Sequence, residues 1–177
     1  AKSIDNYNTA IINKNFSKRK VIQKNLLKFF NPVYGLYGNL YSLYTLPAPL
    51  FTGFKHTHTA QSFLKSTFEE VWAKEYEFLD HTSKSKFRDF DNVNQYLLHH
   101  WQIVQGKITP ANFKKNRARY DLDIINSKAV SEQIRKKAKK MICINDEENL
   151  IEPFEVMKKQ FISDFEYILP EKSSFEK

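Results

Sequence analysis

The sequence of 177 residues is poor in cysteine and glycine, and each shortage excludes a class of site. Cys143 is the one cysteine, so the chain can form neither an internal disulfide nor a zinc site built from Cys-x-x-Cys pairs. The four glycines form neither a phosphate-binding loop nor a Gly-x-Ser-x-Gly nucleophile elbow. The sequence therefore gives no support for a nucleotide-binding site contained in this chain alone.

Long apolar runs are also missing. No segment approaches the roughly 20 apolar residues that a helix needs to span a bilayer. No secretory signal peptide is visible, and a single cysteine fits a reducing compartment, so we expect a cytoplasmic protein. The first residue is Ala1 and not methionine, and we therefore expect the chain to be a fragment.

Acidic residues are scarce in two stretches of a chain whose net charge is +8. Residues 14–28 include six basic residues and no acidic one, and residues 114–140 include ten basic and three acidic ones. Such patches suit phosphates, nucleic acid or an anionic membrane face. They also occur on the solvated surfaces of ordinary helices, so the charge pattern leaves both interpretations open.

Aromatic residues make up 15% of the chain, which together with the few glycines predicts a packed, helix-rich domain. Residues 16–30 predict a basic amphipathic helix that ends at Asn31 and Pro32. Residues 32–54 hold three of the six prolines and three of the four glycines, which predicts an irregular connection. We therefore interpret residues 1–54 as a basic, aromatic-rich N-terminal connection, and residues 55–177 as the helical part of a single domain.

Apolar residues at steps of three and four predict a helix over residues 62–79. Its predicted buried face comprises Leu64, Phe68, Val71, Trp72, Tyr76 and Leu79. A second helix is predicted over residues 91–105, with Asp91 as its N-cap and Gly106 at its end.

The last third of the chain predicts two more helices and a strand. Ser131 is expected to open one helix, and Pro153 is expected to open the other at its favoured first position. The predicted buried stripe of the final helix comprises Phe154, Met157, Phe161, Phe165 and Ile168. Residues 141–144 form a short apolar run, which predicts a strand. The predicted fold class is therefore mainly α with one or two short strands.

Residue types suited to chemistry cluster at the ends of these elements. His56 and His58 precede the helix at 62–79, where a histidine could exchange a proton with a hydroxyl or help bind a metal. A structural or incidental role is the commoner explanation for a two-histidine motif. Arg88 precedes the helix at 91–105 and could clamp phosphate oxygens, or pair with a neighbouring aspartate.

A third cluster, Asn145 and Asp146, follows the predicted strand. Carboxylates at the carboxyl end of a strand commonly face a ligand crevice in α/β sheets. Asp146 could therefore bind Mg²⁺, directly or through water. A simple turn or a cap for the next helix is the alternative.

Taken together, these segments resemble the Stealth family of capsular polysaccharide phosphotransferases. Residues 51–72 (FTGFKHTHTAQSFLKSTFEEVW) and 82–106 are similar to the third signature region of that family. Residues 143–146 (CIND) resemble the start of the fourth region, and residues 169–176 (LPEKSSFE) resemble its end. The order and spacing of these motifs make the resemblance more specific than any one of them.

The resemblance implies an activity, a site and a wider fold. It implies transfer of a hexose 1-phosphate from a UDP-sugar to an acceptor glycan hydroxyl, with release of UMP, in capsule or exopolysaccharide synthesis. It further implies that His58, Arg88 and Asp146 are catalytic, with Asp146 a ligand of Mg²⁺ or Mn²⁺. The chain would be the C-terminal portion of an α/β sugar-phosphate transferase. Predicted substrate-binding residues in the matching segments are Gln61, Lys65, Asn94 and Asn145.

The first two signature regions of that family, with their Asp-rich and Asn-Asp-Asp motifs, are missing from this chain. We therefore expect the metal site to be shared with upstream residues, and this chain alone to be inactive. Two alternatives remain open. The chain could be a non-catalytic basic helical module that binds an anionic polymer, although we expect no specific nucleic acid. Its N-terminal region could also attach peripherally to the inner face of the membrane.

Overall fold

The structure, a computed structural model, describes residues 2–54, 60–87, 89–121, 127–145 and 151–175. Over these residues the chain is mainly helical with one pair of short strands, so the predicted fold class is confirmed. Ala60 apart, the described residues divide into two compact units, one up to Ala111 and the other from Asn112 onwards. None of the described helices is both long and apolar enough to cross a membrane.

The first unit consists of seven α-helices and one 3-10 turn among its described residues. They are α1 (Lys2–Asn15), α2 (Lys18–Lys24), α3 (Leu26–Phe29), the 3-10 turn Pro32–Tyr34, α4 (Gly35–Thr45), α5 (Lys65–Lys74), α6 (Tyr76–Lys84) and α7 (Gln95–Val104). The buried core is formed by Ile11, Ile12, Val21, Phe51, Val71, Val93, Leu97, Leu98, Trp101 and Val104. α7 contributes more of these residues than any other helix.

The N-terminal region is more regular than the sequence indicated. α1, which the sequence analysis did not predict, packs against α7, so the region before residue 54 contributes to the core of this unit. The helix predicted at 16–30 is broken at Asn25, which has non-helical dihedral angles. The prediction of an irregular segment at 32–54 is wrong over α4. Gly38 lets α4 pass close to Tyr34, because a Cβ at Gly38 would lie 2.9 Å from the Tyr34 Cβ.

The single helix predicted at 62–79 is two helices, because Glu75 interrupts it with non-helical dihedral angles. The buried carboxylate of Glu75 accepts hydrogen bonds from Lys14 Nζ at 2.9 Å and Asn15 Nδ2 at 2.6 Å. Val71 is buried as predicted, and Thr67 is buried as well, while the predicted core residues Leu64, Phe68 and Tyr76 are exposed.

The ends of α7 show one wrong and one confirmed prediction. Asp91 is not the N-cap, because its carboxylate pairs with His81 at 3.1 Å, and Asn94 caps the helix instead. Gly106 does end the helix. Its φ of 70° is left-handed, and the Gly106 and Lys107 N–H groups donate back to Ile103 and Gln102 in a Schellman motif.

The second unit contains a β-α-β arrangement followed by a long helix. Its described elements are α8 (Phe113–Asn116), β1 (Arg117–Asp121), α9 (Ser127–Arg135), β2 (Met141–Asn145) and α10 (Ile151–Ile168). The strands are parallel, with Arg117 opposite Met141 and Asp121 opposite Asn145. Val130, Ile134 and Met157 form the buried core of this unit.

The strand predicted at 141–144 is confirmed and is one residue longer. Two helix starts were wrong. α9 begins at Ser127, so Ser131 lies inside the helix and is buried, and α10 begins at Ile151, before Pro153. The predicted stripe of α10 is only partly buried, because Phe154 and Phe165 are exposed.

Asp164 joins α9 and α10, and its side chain is fully buried. Its carboxylate accepts hydrogen bonds from Arg135 Nε and from Gln160 Nε2. Burial by itself raises the pKa of Asp164. Hydrogen bonds from Ser131, Arg135 and Gln160, with the charge of Arg135, outweigh that effect and hold the pKa below its ordinary value.

This ionised carboxylate predicts an acid-sensitive second unit. Because the pKa of Asp164 is lower in the folded chain, its stabilisation is fully present above the unfolded-state pKa of about 3.9. It is lost as the pH falls from there through the folded-state pKa. Urea unfolding followed by far-UV circular dichroism should show this loss as the pH is lowered from about 4. An Asp164→Asn chain should show a smaller loss. The control Glu132→Gln removes an exposed carboxylate and should leave the pH dependence of the unfolding free energy unchanged. If this pH dependence is the same in the Asp164→Asn chain and the unchanged chain, the assignment is contradicted.

Candidate functional site

Four residues of the predicted site, His56, His58, Arg88 and Asp146, lie outside the described residues. The segments that flank them are described in detail. The following geometry therefore concerns the anchors on either side of the predicted catalytic residues.

Phe54, which directly precedes residues 55–59, is held against the middle of α7. Its ring stacks on the imidazole of His100, with 4.2 Å between ring centroids and an interplanar angle of 17°. His100 is buried, and its ring is also nearly parallel to that of Tyr96, 6.2 Å away. An aromatic stack of this kind fixes the position at which the chain enters the histidine segment.

Gln102, two residues further along α7, holds the other end of that segment. Its side chain is buried, and Oε1 accepts a hydrogen bond from the Leu64 N–H at 2.9 Å. Nε2 donates to the Ser62 carbonyl at 3.3 Å. Both ends of the segment that contains His56 and His58 are thus attached to the same turn of one helix, at His100 and Gln102.

The segment around Arg88 is braced by Asn92. The buried Asn92 side chain accepts from the Asp89 N–H at 2.7 Å and donates to Ser85 Oγ at 3.1 Å. One amide therefore ties together residues on both sides of Arg88. Thr82 Oγ1 accepts from the Val93 N–H at 3.0 Å, which fastens the C-terminal end of the segment to α6.

Asn94, a predicted substrate-binding residue, has a structural role at the start of α7. Its Oδ1 accepts from the Tyr96 N–H at 3.1 Å, which caps the helix, and from Asn8 Nδ2 at 2.8 Å. Asn8 is fully buried in α1. The Arg88 segment therefore also ends on α7, about 15 Å or less along the helix axis from the Gln102 anchor. A role of Asn94 in substrate binding remains a prediction.

Gln61 and Lys65, also predicted to bind substrate, flank the Gln102 anchor. Gln61 is half-buried, and the exposed Lys65 side chain lies 3.8 Å from Glu69. Lys65 borders an open groove of about 600 Å³. The groove is lined by Phe63, Lys65, Phe68, Glu69 and Trp72. The sequence analysis missed this surface, because helical spacing assigned Phe68 and Trp72 to the core.

In the second unit, Asn145 lies at the carboxyl end of β2. Its Nδ2 donates to Asp121 Oδ1 at 3.0 Å, and Asp121 ends the neighbouring strand. Arg119 also donates to Asp121 Oδ1, at 2.8 Å. Carboxyl ends of parallel strands are a common location for ligands, and Asp146 follows directly in the sequence.

The donor atoms at this strand end fit a hard cation. Carboxylate and amide oxygens, as in Asp121 and Asn145, are the ligands that Mg²⁺ and Mn²⁺ prefer. Among the described residues, however, no group of three or more metal-binding side chains occurs. A metal at this position would therefore need Asp146 and further oxygen ligands.

Sequence reasoning did not assign roles to four residues that organise these segments: Asn92, His100, Gln102 and Asp121. Buried amides and imidazoles at helical spacing look like ordinary core positions. The charged sequence of β1 gives no strand signal, so its pairing with β2, and hence the role of Asp121, was not visible.

The Gln102 anchor can be tested without an activity assay. Replacing Gln102 with leucine removes its hydrogen bonds to the backbone of Ser62 and Leu64, which should cost about 1–3 kcal/mol locally for the two bonds. Limited trypsin digestion should then cut after Lys55 or Lys65 about tenfold faster, because the segment opens more often. The matched control is Gln105→Leu, because Gln105 directly follows α7 and its side-chain amide binds Glu70 instead. Equal cleavage rates in the two variants would show that Gln102 does not hold the segment.

Curated bacterial proteins match almost the whole chain. A capsular polysaccharide phosphotransferase, WcwK of Streptococcus pneumoniae, is 42% identical over 174 residues, which cover 96% of this chain and 50% of that protein. The exopolysaccharide phosphotransferase cps2G of Lactiplantibacillus plantarum is 34% identical, over 96% of this chain and 49% of its own length. The receptor polysaccharide phosphotransferase WefC of Streptococcus oralis is 33% identical, over 94% and 48%.

No family model and no solved structure matches the chain. The chain spans about half the length of the curated relatives that it matches. The relationship predicted from the sequence is nevertheless confirmed: over nearly its whole length, this chain is related to the bacterial capsular and exopolysaccharide phosphotransferases.

Proposed function

We propose that the protein carrying this chain transfers a hexose 1-phosphate from a UDP-sugar to a hydroxyl of a glycan, releasing UMP, during capsule or exopolysaccharide synthesis. One observation carries the proposal. Helix α7 anchors both ends of the segment that contains His58 and the end of the segment that contains Arg88. Phosphoryl transfer depends mainly on positioning and charge stabilisation, so a helix that anchors the residues flanking both segments supports this class of reaction.

In the proposed reaction, the acceptor oxygen attacks the β-phosphorus of the donor. The acceptor proton passes to the His58 imidazole as the new phosphorus–oxygen bond forms. The bond between the β-phosphorus and the oxygen that bridges to the α-phosphate breaks, and UMP departs with that oxygen. Arg88 holds the non-bridging oxygens of the β-phosphate through paired N–H donors.

Asp146 is proposed as a ligand of Mg²⁺ or Mn²⁺, together with the oxygens of Asn145 and Asp121 and residues outside this chain. Such an ion would neutralise charge on the diphosphate when bound. The role of the chain itself is to orient oxygen donors, as the Asn145–Asp121 hydrogen bond does at the end of the strands.

The acceptor glycan is proposed to lie in the groove beside α5. Phe63, Phe68 and Trp72 offer aromatic faces, while Lys65 and Glu69 supply charged groups at the same surface. Binding sites commonly combine apolar and aromatic walls with a few polar groups that fix orientation. Gln61 lies between this groove and the histidine segment in the sequence, which fits its predicted role in substrate binding.

The fate of the β-phosphorus tests the proposed reaction. The full-length protein is incubated with acceptor glycan and a panel of UDP-hexoses labelled with ³²P at the β-position. Sugar-phosphate transfer moves the label into the glycan and releases unlabelled UMP, whereas ordinary glycosyl transfer leaves the label in UDP. Label that stays in UDP would overturn the proposal. We expect the chain of 177 residues alone to transfer no label, because it spans only about half the length of its relatives.

A further inference from the structure

Helix α4 exposes its apolar side chains to solvent, and this property is independent of the proposed function. Its leucine and tyrosine side chains are between 53% and 82% exposed. They are Leu36, Tyr37, Leu40, Tyr41, Leu43 and Tyr44. At 100° per residue these six positions cover one continuous face about 160° wide.

The opposite, polar face of α4 is the one that attaches to the protein. Asn39 donates to the Asn31 carbonyl at 2.9 Å and accepts from the Asn31 N–H at 3.0 Å. The buried Lys18 side chain donates to the carbonyls of Thr45 and Ala48, at 2.5 and 2.8 Å, at the C-terminal end of the helix. These bonds fix the orientation of α4, so the apolar face points outward because of specific contacts on its other side.

The surroundings of this face are basic. Between Asp5 and Glu69 the sequence contains eight Lys and Arg residues and no acidic residue. Arg19, Lys20 and Lys24 are exposed on α2, the helix whose Lys18 binds the end of α4. Leu26 and Leu27, which follow, are exposed as well. Helices with a leucine and aromatic face beside basic residues bind the headgroup region of anionic bilayers.

We propose that α4 lies in the interface of an anionic lipid membrane, with its leucine and tyrosine face among the headgroups and upper acyl chains. Tyrosine favours that depth, because its ring is apolar and its hydroxyl remains hydrated. The 11 residues of α4 are too few to span a bilayer, so the helix lies in the plane of the surface. The basic residues of α2 supply the attraction to anionic lipid.

Vesicle co-sedimentation tests this placement. The chain is mixed with vesicles of phosphatidylcholine alone or of phosphatidylcholine with phosphatidylglycerol, which carries a negative charge. We expect binding to the anionic vesicles. The triple variant Leu36→Ser, Tyr37→Ser, Tyr44→Ser should bind at least about tenfold more weakly, since it loses most of the buried apolar area. Replacing Arg19, Lys20 and Lys24 with glutamine should weaken binding about fivefold for each charge that reaches the surface.

The matched control is Val156→Ser, Leu169→Ser, Phe175→Ser, three residues that are equally exposed but lie in the second unit. It should bind like the unchanged chain, and circular dichroism should show that all variants are folded. The proposal is overturned if the unchanged chain binds no vesicle, or if the α4 variant binds as well as the control. Self-association that the α4 variant abolishes, without vesicle binding, would assign the face to a second copy. Binding by this chain but not by the full-length protein would show that other parts of the protein cover α4.

Discussion

Replacing His58 with alanine in the full-length protein is expected to lower the initial rate of sugar-phosphate transfer at least about a hundredfold. The variant loses the group that accepts the proton of the acceptor hydroxyl. Arg88→Ala should have a similar or larger effect, because it removes the cation proposed to hold the β-phosphate oxygens. The measurement is the initial rate at which ³²P from the β-position enters the glycan at saturating donor.

Two controls separate these chemical roles from structural ones. Lys159→Ala removes an exposed basic residue from α10 and should leave the transfer rate unchanged. Added imidazole should partly restore the His58→Ala enzyme, which a merely structural loss would not allow. Thermal unfolding should be nearly the same in all variants. Near-normal transfer by either the His58 or the Arg88 variant would reject its assignment.

Trp101→Ala is expected to destabilise the first unit by about 3–5 kcal/mol, the range for truncating a large aromatic side chain in a core. Trp101 is fully buried at the centre of α7 and meets Phe16 edge to face, with 4.8 Å between ring centroids. The Lys74 ammonium lies 5.6 Å from its ring centroid. Alanine would leave a cavity among these groups. Urea unfolding followed by the fluorescence of Trp72, the other tryptophan, measures the loss.

Trp72→Ala is the matched control for this prediction. Trp72 is only half-buried and lines the groove beside α5, so its loss should cost far less than that of Trp101. The Trp72 variant should instead weaken acceptor binding, if the groove holds the glycan. Similar destabilisation in the two variants would contradict the view that α7 is the structural centre of this unit.

The spacing of apolar residues correctly predicted those helices and strands that bury these residues in a core. α7 and β2 appear close to where the sequence placed them, and Gly106 ends α7 because its left-handed φ suits glycine. The spacing of apolar residues failed to predict helix boundaries where a buried polar contact interrupts the helix. The carboxylate of Glu75, bound by Lys14 and Asn15 from α1, divides a continuous helical pattern in two. Nothing in the local sequence marks that distant pairing.

α4 illustrates a second reason for failure. Its glycines suggested irregular structure, yet both lie within the helix, and Gly38 permits the close approach of Tyr34. Its apolar residues follow helical spacing but face outward, so that spacing does not mark a buried face here. β1 was missed for a related reason, because its charged residues form a strand only through pairing with β2.

The family relationship was predictable from the sequence, whereas the contacts that hold the candidate segments in place were not. The order of the histidine, arginine and Asn-Asp motifs pointed to polysaccharide phosphotransferases, and the comparisons confirm that relationship. The residues that fix those motifs, such as Gln102 and Asn92, are buried amides whose partners are backbone groups. Because every residue has a backbone, the sequence does not show which backbone groups Gln102 and Asn92 bind.

A crystal structure of the full-length protein with a non-hydrolysable UDP-sugar would test most directly whether α7 assembles a phosphate-transfer site. We predict that the Arg88 guanidinium contacts oxygens of the β-phosphate and that the His58 imidazole lies on the acceptor side of the same phosphorus. Side chains of His58 and Arg88 that point away from the bound diphosphate, in different directions, would contradict this account.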